Sequence, residues 1–263
     1  MMLNRIEFQF SERLKKGEKL FIPYIMAGDG GLEVLGGRLA LLEKFGASAI
    51  EIGIPFSDPV ADGPVIQQAG IRALQVGTTL KAVIEKIKEV RKLISVPLIV
   101  MTYMNPILAY GIDRFVSDLQ QAGVDGCIIP DLPIEEEEII THQLDEFGVE
   151  LIRLVTMATP KDRIIKIAEK GRGFLYTVTV KGITGVRNEL DASLSSFLKS
   201  VKEISNKPVI AGFGVSNPEQ VKELSQDCDG VIVGSKIVDL FNQNKINEIK
   251  RLMESSLVSE EVI

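Results

Sequence analysis

The sequence predicts a single-domain (β/α)8 TIM barrel that spans residues 1–263. Short apolar segments of strand type alternate along the chain with amphipathic segments of helical spacing. Such alternation predicts parallel strands joined by right-handed crossovers, and eight strands are the number that closes a barrel. An open doubly wound sheet is the alternative, but no G-x-G-x-x-G follows the first strand and no segment indicates a second lobe.

Each expected strand is followed by a helix, and one extra helix precedes the first strand. Apolar and charged residues recur at helical spacing from residue 4 to residue 16, and Gly17 ends the pattern. We interpret this N-terminal helix as a lid over one end of the fold. Strands are expected near residues 20–26, 49–54, 97–102, 126–129, 150–155, 174–179, 208–211 and 230–234, and helices near 32–45, 65–76, 80–94, 111–121, 135–147, 161–170, 193–204, 217–225 and 245–257.

Two connections are longer than the others. The first follows strand 2 and contains the loop 55–64 and an extra helix. The second follows strand 6 and runs from Val180 to Asp191 through Gly182 and Gly185. Barrels build their active sites from the loops at the carboxyl ends of their strands. These extended loops after strands 2 and 6 therefore predict the position of the functional face.

Composition excludes several classes of function. The net charge of −6 argues against binding to nucleic acid or to an anionic membrane, because both need basic patches. His142 is the single histidine, which excludes His-rich metal sites. Cys127 and Cys228 lack metal-binding spacing, so we interpret them as buried thiols in a reducing, cytoplasmic compartment and expect no metal.

No segment of the sequence resembles a secretory signal or a membrane span. The opening MMLNRIEFQF lacks a long apolar region. The uncharged run from Leu93 to Ile112 is long enough for a span, but it contains Pro97, Pro106 and Gly111. We interpret it as a strand, a loop and the start of a helix.

Glu51 lies in the apolar segment from Ala49 to Ile54, where a strand covered on both faces is expected to be apolar throughout. In one interpretation its carboxylate pairs with a Lys or Arg, or meets solvent at the strand end. In the other it points into an apolar pocket formed with Ile50, Ile52 and Ile54. Desolvation there would raise its pKa until it exchanges protons near neutral pH.

Asp58 and Asp62 follow in the loop after strand 2. Asp-Pro and Asp-Gly-Pro are ordinary turn and helix-start sequences, and Pro64 suits a first helical turn. This structural interpretation is favoured for Asp58. Asp62 is expected beside Glu51 at the barrel mouth, where two carboxylates in different environments can act as one proton donor and one ionised acceptor.

Glycines follow strands 6, 7 and 8 in the segments Gly182-Ile183-Thr184-Gly185, Gly212-Phe213-Gly214 and Gly234-Ser235. Each alone is typical of a tight turn. Together they occupy the loops where barrels bind phosphate through backbone N–H groups and a short helix N-terminus. Ser235 is expected to cap that helix and to offer its hydroxyl to a phosphate oxygen.

Four further positions have structural and functional interpretations. Tyr176 is either a core residue or part of the ring of side chains that faces Glu51. Asp131, at the carboxyl end of strand 4, belongs either to the site or to the loop framework. The run Glu135–Glu138 is expected to be a solvated first helical turn, and His142 is expected to be exposed or structural.

In this order, these segments resemble the alpha subunits of tryptophan synthase. The motif Glu51-Ile52-Gly53-Ile54-Pro55-Phe56-Ser57-Asp58-Pro59 with Ala61-Asp62-Gly63-Pro64 carries the resemblance. Supporting matches are Pro130-Asp131-Leu132-Pro133, the glycine segments above, Val215-Ser216 and Val233, so that the likeness extends from about Phe8 to about Leu257. The chain differs from the usual family pattern at Gly30, where the family often has proline, and at Thr179-Val180-Lys181, where many members have Ser-Arg.

The resemblance implies a lyase that cleaves indole-3-glycerol phosphate to indole and glyceraldehyde 3-phosphate, with no cofactor in this subunit. It implies that Glu51 is the catalytic acid and base and that Asp62 is a catalytic residue at the indole nitrogen. Tyr176 would line the pocket, and Thr184 would orient the aspartate. The implied phosphate-binding residues are Gly185, Gly214, Gly234 and Ser235.

The resemblance also implies a partner. Family members form an α2β2 heterotetramer with a β subunit that carries pyridoxal phosphate and condenses indole with serine to L-tryptophan. Pro55 and Asp58 are then expected to position the loop or to contact this partner. The alternatives are another phosphosugar-binding or indole-phosphate-binding barrel enzyme, or a subunit that acts mainly as an allosteric partner.

Overall fold

The computed structural model describes residues 4–178, 187–212 and 217–255, with side chains from residue 192 onward in the second range. Within these residues every strand pair is parallel, as predicted for a barrel. The strands are β1 Leu20–Met26, β2 Ile50–Gly53, β3 Leu98–Met101, β4 Gly126–Ile128, β5 in two segments, Glu150–Leu151 and Arg153–Thr156, β6 Leu175–Val178, β7 Val209–Gly212 and β8 Gly230–Val233.

The barrel closes through β5, which is divided at Ile152. The first segment of β5 pairs with β4, and the second pairs with β6. The order around the sheet is therefore β5-β4-β3-β2-β1-β8-β7-β6 and back to β5. The N–H of Ile152 donates to the carbonyl of Cys127 at 2.9 Å, so the hydrogen bonding to β4 continues across the division.

Most helices lie where the periodicity predicts them. Two helices begin at other residues than predicted, α9 at Arg187 rather than near residue 193 and α7 at Glu138 rather than residue 135. One helix, α5, was not predicted. The helices are α1 Arg5–Lys15, α2 Leu35–Lys44, α3 Pro64–Gln75, α4 Leu80–Val90, α5 Met104–Tyr110, α6 Ile112–Gln121, α7 Glu138–Phe147, α8 Lys161–Lys170, α9 Arg187–Ile204, α10 Pro218–Asp227, α11 Ser235–Asn242 and α12 Ile246–Glu254.

A contact between distant residues explains why α5 escaped prediction. The carboxylate of Asp131 accepts hydrogen bonds from the N–H of Met104 at 3.0 and 3.2 Å, at the first residue of α5. The start of this helix is thus stabilised by a residue on the next loop around the barrel. Asp131 therefore has a structural role in the loop framework, which is one of the two roles that the sequence suggested for it.

The amino end of the barrel is closed by α1, which confirms the predicted lid. Ile6 and Phe10 are fully buried in the cluster that fills the barrel interior, and the Phe10 ring lies 5.6 Å from that of Phe174. Asn4 caps the helix by accepting from the N–H of Glu7 at 2.9 Å. Its amide also donates to Glu150 at 2.7 Å, which ties the lid to β5.

The acidic run before α7 is only partly solvated, which corrects the prediction. Glu137 is 4% exposed and forms ion pairs with Arg153 at 2.8 Å and with Lys170 at 3.1 Å. It therefore links α7 and α8 to β5, and these partners lower its pKa although burial raises it. His142 is exposed on α7, and Cys127 and Cys228 are buried free thiols, as predicted. No helix in the described part of the chain has the length and apolar character needed to cross a membrane.

Replacing Phe10 with alanine is expected to lower the free energy of unfolding by about 3–5 kcal/mol, because the change empties the end of the barrel interior. Phe8→Ala is the matched control on the same helix, where the side chain is 55% exposed, and is expected to change it by less than about 0.5 kcal/mol. Urea denaturation of both variants measures the difference. Equal effects would show that α1 does not close the interior.

Candidate active site

A cavity of about 300 Å³ opens at the carboxyl ends of the barrel strands. Its walls come from the inner faces of all eight strands and from the end of the loop 55–64. Both Glu51 and Asp62 line it, together with Tyr176, Gly234 and Ser235. The structure therefore brings together the predicted catalytic and substrate-binding residues that fall within its described part.

Glu51 points into the barrel because strand residues alternate between its two faces. Ala49, two positions earlier, belongs to the interior cluster, whereas Ile50, Ile52 and Ile54 pack outward against the helices. The prediction that these isoleucines surround Glu51 was therefore wrong. Its apolar surroundings come from other strands, through cavity residues such as Met101, Ile128, Leu154 and Ile232.

Glu51 is a buried acid. Glu51 is 1% exposed, and its Oε2 atom has no hydrogen-bond partner among the described residues. Burial, and to a smaller extent the negative charge of Asp62, raises its pKa to about 8. Glu51 is therefore mainly protonated at neutral pH.

Asp62 is held at the cavity rim by the turn that starts α3. Its N–H donates to the carbonyl of Pro59 at 3.1 Å, and its own carbonyl accepts from the side chain of Gln67 at 2.9 Å. Gly63 is the N-cap of α3 and Pro64 its first residue, as the sequence indicated. Burial raises the pKa of Asp62 to about 6, and interaction with the Tyr103 hydroxyl lowers it. Asp62 is therefore mainly ionised at neutral pH.

Two tyrosines form part of the cavity wall beside the carboxylates. Burial raises the pKa of both Tyr24 and Tyr176 well above the usual range, and the charges of Glu51 and Asp62 act in the same direction. Both phenols therefore stay neutral. The neighbouring glycines make room for them, because a Cβ at Gly53 would overlap the Tyr24 hydroxyl and a Cβ at Gly212 would overlap the Tyr176 ring.

Sequence reasoning missed Tyr24 and Tyr103. Tyr24 lies two and four residues after the inward-facing Ile22 and Leu20 of β1, so the alternation of the strand could have identified it. Tyr103 follows β3 and is 2% exposed. Its hydroxyl accepts from the N–H of Ala61 at 3.1 Å. Nothing in the local sequence indicates this contact, since the two residues are 42 positions apart.

The start of α11 forms another part of the cavity wall. Gly234 is the N-cap of α11 and Ser235 its first residue, so the prediction that Ser235 caps the helix was wrong by one position. Both line the cavity, where the N–H groups of a helix N-terminus favour an anion. Thr184, Gly185 and Gly214 lie outside the described residues.

The chain matches the family model described as tryptophan synthase alpha chain over residues 10–262. It is 50% identical over 254 residues to the tryptophan synthase alpha chain of Bacillus anthracis, an alignment that covers 95% of this chain and 98% of the relative. The chain belongs to the tryptophan synthase alpha chain family. It is therefore a lyase of tryptophan biosynthesis, and its half-reaction is the cleavage of indole-3-glycerol phosphate.

Solved structures of tryptophan synthase alpha chains have the same fold. The crystal structure of the alpha chain from Legionella pneumophila aligns with a TM-score of 0.86 at 32% identity, covering 97% of this chain and 96% of that one. A ligand-free tryptophan synthase from M. tuberculosis aligns with a TM-score of 0.88 at 28% identity, covering 97% and 99%. The likeness of fold therefore extends over almost the whole chain.

The loop after β1 contains one departure of this alpha chain from the family pattern. Gly30 has a φ of +86°, which proline cannot adopt. The adjacent Asp29 is 2% exposed and makes a bidentate ion pair with Arg72 of α3, at 2.7 and 2.9 Å. This pair ties the loop after β1 to the helix that follows Asp62.

Asp58 and Pro55 lie apart from the two carboxylates of the cavity. Asp58 is exposed, its carboxylate accepts from the hydroxyl of Ser57, and its carbonyl accepts from the N–H of Val60 at 3.0 Å. Pro55 is buried at the start of the loop. In the described part of the chain, no group of three or more His, Cys, Asp or Glu residues is arranged to hold a metal ion.

The Glu51→Gln variant is expected to be more stable than the native chain at alkaline pH. The pKa of Glu51 is about 8 in the folded state and its ordinary value is 4.5, so the unfolded state loses its proton first. Folding of the native chain therefore becomes less favourable as pH rises from about 4.5 to about 8, and glutamine avoids this loss. We expect a melting temperature higher by about 5 °C or more at pH 9, and no gain at pH 4.

The exposed Glu146→Gln substitution on α7 is the control for that comparison. It is expected to leave the melting temperature unchanged at both pH values. An equal melting temperature for Glu51→Gln and the native chain at pH 9 would contradict a buried Glu51.

Proposed function

We propose that Glu51 and Asp62 divide the proton chemistry of indole-3-glycerol phosphate cleavage between them. The observation that carries this proposal is the contrast between two carboxyl groups in one cavity. The pKa of Glu51 is raised to about 8 and that of Asp62 to about 6. At pH 7 the cavity therefore holds one proton donor and one anionic acceptor.

The cleavage needs a proton at C3 of the indole ring and the loss of a proton from the side-chain hydroxyl. In our proposal, protonated Glu51 donates its proton to C3, and the positive charge that develops on the ring is stabilised by ionised Asp62, which accepts from the ring N–H. The Glu51 carboxylate then takes the hydroxyl proton as the C–C bond breaks. The bonding pair returns to the ring, indole and glyceraldehyde 3-phosphate form, and Glu51 is protonated again.

The phosphate is proposed to bind where α11 begins. Gly234 and Ser235 line the cavity there, and a helix N-terminus offers free N–H groups to an anion. Gly185 and Gly214 are proposed to complete this site, and Thr184 to orient Asp62, on the family resemblance. Tyr176 and Tyr24 are proposed to pack against the indole ring, because both lie between the strand interior and the carboxylates.

The partner is proposed to be the tryptophan synthase β subunit, in an α2β2 heterotetramer. The β subunit binds pyridoxal phosphate and condenses indole with serine, so this chain needs no cofactor of its own. Pro55 and Asp58 are proposed to position the loop 55–64 or to contact the partner, since Asp58 is exposed on the same face as the cavity. A cytoplasmic location stays a prediction.

Indole release from indole-3-glycerol phosphate tests the proposed roles. The Glu51→Gln variant is expected to lose activity by at least about 10²- to 10⁴-fold, because acid and base catalysis contribute that much and one residue serves two steps. Asp62→Asn is expected to lose activity by a similar factor. Activity is measured with the purified chain, alone and with a tryptophan synthase β subunit.

Glu150→Gln is the matched control, since Glu150 is also a buried acid whose pKa is raised, to about 7, but lies at the amino end of the barrel. It is expected to keep native activity. Native turnover in a folded Glu51→Gln variant would refute the role of Glu51. If the native chain bound glycerol phosphate but released no indole with or without the partner, the alternative of another phosphate-binding barrel enzyme would hold.

A further inference from the structure

Tyr103 contacts the loop 55–64 at two places, one before and one after the exposed turn at residues 57–60. Its ring lies 5.4 Å from that of Phe56, before the turn, and its hydroxyl accepts from the N–H of Ala61, after the turn, at 3.1 Å. Tyr103 itself is 2% exposed and lies two residues after the end of β3. One rigid side chain on the barrel therefore fixes the backbone immediately before Asp62.

The Tyr103 hydroxyl can donate its proton to one of two neighbouring carboxylates. The hydroxyl oxygen already accepts from Ala61, so its proton is directed elsewhere. Two carboxylates influence the Tyr103 hydroxyl, those of Asp62 and Asp131. The Asp131 carboxylate already accepts from the N–H of Met104, whereas Asp62 lies at the cavity rim next to Ala61. Asp62 is therefore the acceptor that the geometry favours.

We propose that Tyr103 is a positioning residue that keeps Asp62 ionised and directs its carboxylate toward the indole N–H. This inference rests on the proposed function, because it gives Asp62 the role of acceptor. A hydroxyl that donates to a carboxylate stabilises the charged form, and the contact with Ala61 limits where that carboxylate lies. Tyr103 thus acts through Asp62 and not on the substrate itself.

The other groups that face Asp62 do not supply this stabilisation. Glu51 on β2 is an acid, and Tyr24 on β1 and Tyr176 on β6 interact with Asp62 through the charge of the carboxylate. No lysine or arginine belongs to the described cavity wall. Burial raises the pKa of Asp62, and the interaction with Tyr103 lowers it. Removal of the hydroxyl is therefore expected to raise the pKa of Asp62 further.

The Tyr103→Phe variant tests the proposal, because it keeps the ring that packs on Phe56 and removes only the hydroxyl. We expect the acidic limb of its pH-activity profile, measured as indole release in the complex with the β subunit, to lie about one pH unit higher than in the native chain. Because the pKa of Asp62 is about 6, activity should then fall about fivefold at pH 6 and hardly at all at pH 8.

Tyr110→Phe is the matched control. The Tyr110 hydroxyl donates to Asp118 at 2.6 Å on the outer helices, so the change removes another tyrosine–aspartate hydrogen bond away from the cavity. Its pH-activity profile is expected to match that of the native chain. In the Asp62→Asn background, Tyr103→Phe should cause no further loss, because its target is absent.

A second measurement needs no turnover. Infrared difference spectra of the native chain and Asp62→Asn isolate the carboxyl signal of Asp62, and its titration is compared with and without the Tyr103→Phe change. A titration midpoint that rises in Tyr103→Phe supports the proposal. An unchanged midpoint and an unchanged acidic limb, in a folded variant of a chain that releases indole, would overturn it. Failure of the native chain to release indole would instead refute the proposed function.

Discussion

The fold removes the Glu51 carboxyl from water, and no basic side chain in the described part of the cavity wall pairs with it. The residue is 1% exposed, and burial is the largest cause that raises its pKa to about 8. Burial of an acid in this way destabilises the folded chain whenever the group must ionise. The barrel accommodates this group because its interior at the amino end is filled by apolar side chains and closed by Ile6 and Phe10 of α1. The same apolar walls keep Glu51 protonated at neutral pH, as its role as a proton donor requires. The environment that makes Glu51 reactive therefore lowers the stability of the folded chain.

The cavity around Glu51 depends on residues that contribute space or a hydrogen bond. Gly53 and Gly212 leave room for the tyrosines of the wall, and the Tyr103 hydroxyl accepts from the backbone N–H next to Asp62. The ion pair between Asp29 and Arg72 fixes α3, whose start follows Asp62. The two carboxyl groups thus differ in pKa because one sits deep on a strand and the other at the rim on a loop, not because their chemistry differs.

Local sequence patterns were sufficient for most of the fold and for the prediction that Glu51 and Asp62 lie together at the barrel mouth. The alternation of strands and helices gave all eight strand positions, because parallel strands buried on both faces form short apolar runs. Features that depend on distant contacts were not predictable: Asp131 stabilises the start of α5, Arg153 and Lys170 neutralise Glu137, and Tyr103 meets Ala61 across two loops. The error about the isoleucines beside Glu51 has another origin, since it ignored the alternation of strand faces. The prediction of a single domain stays a prediction.

A titration of Glu51 tests the central claim most directly. The carboxyl stretching band of Glu51, isolated in the infrared as the difference between the native chain and Glu51→Gln, reports its protonation in the folded protein without substrate or partner. The structure predicts a midpoint near the pKa of about 8 that burial imposes. A midpoint near the ordinary value of 4.5 would mean that Glu51 is solvated or paired and does not hold a proton at neutral pH.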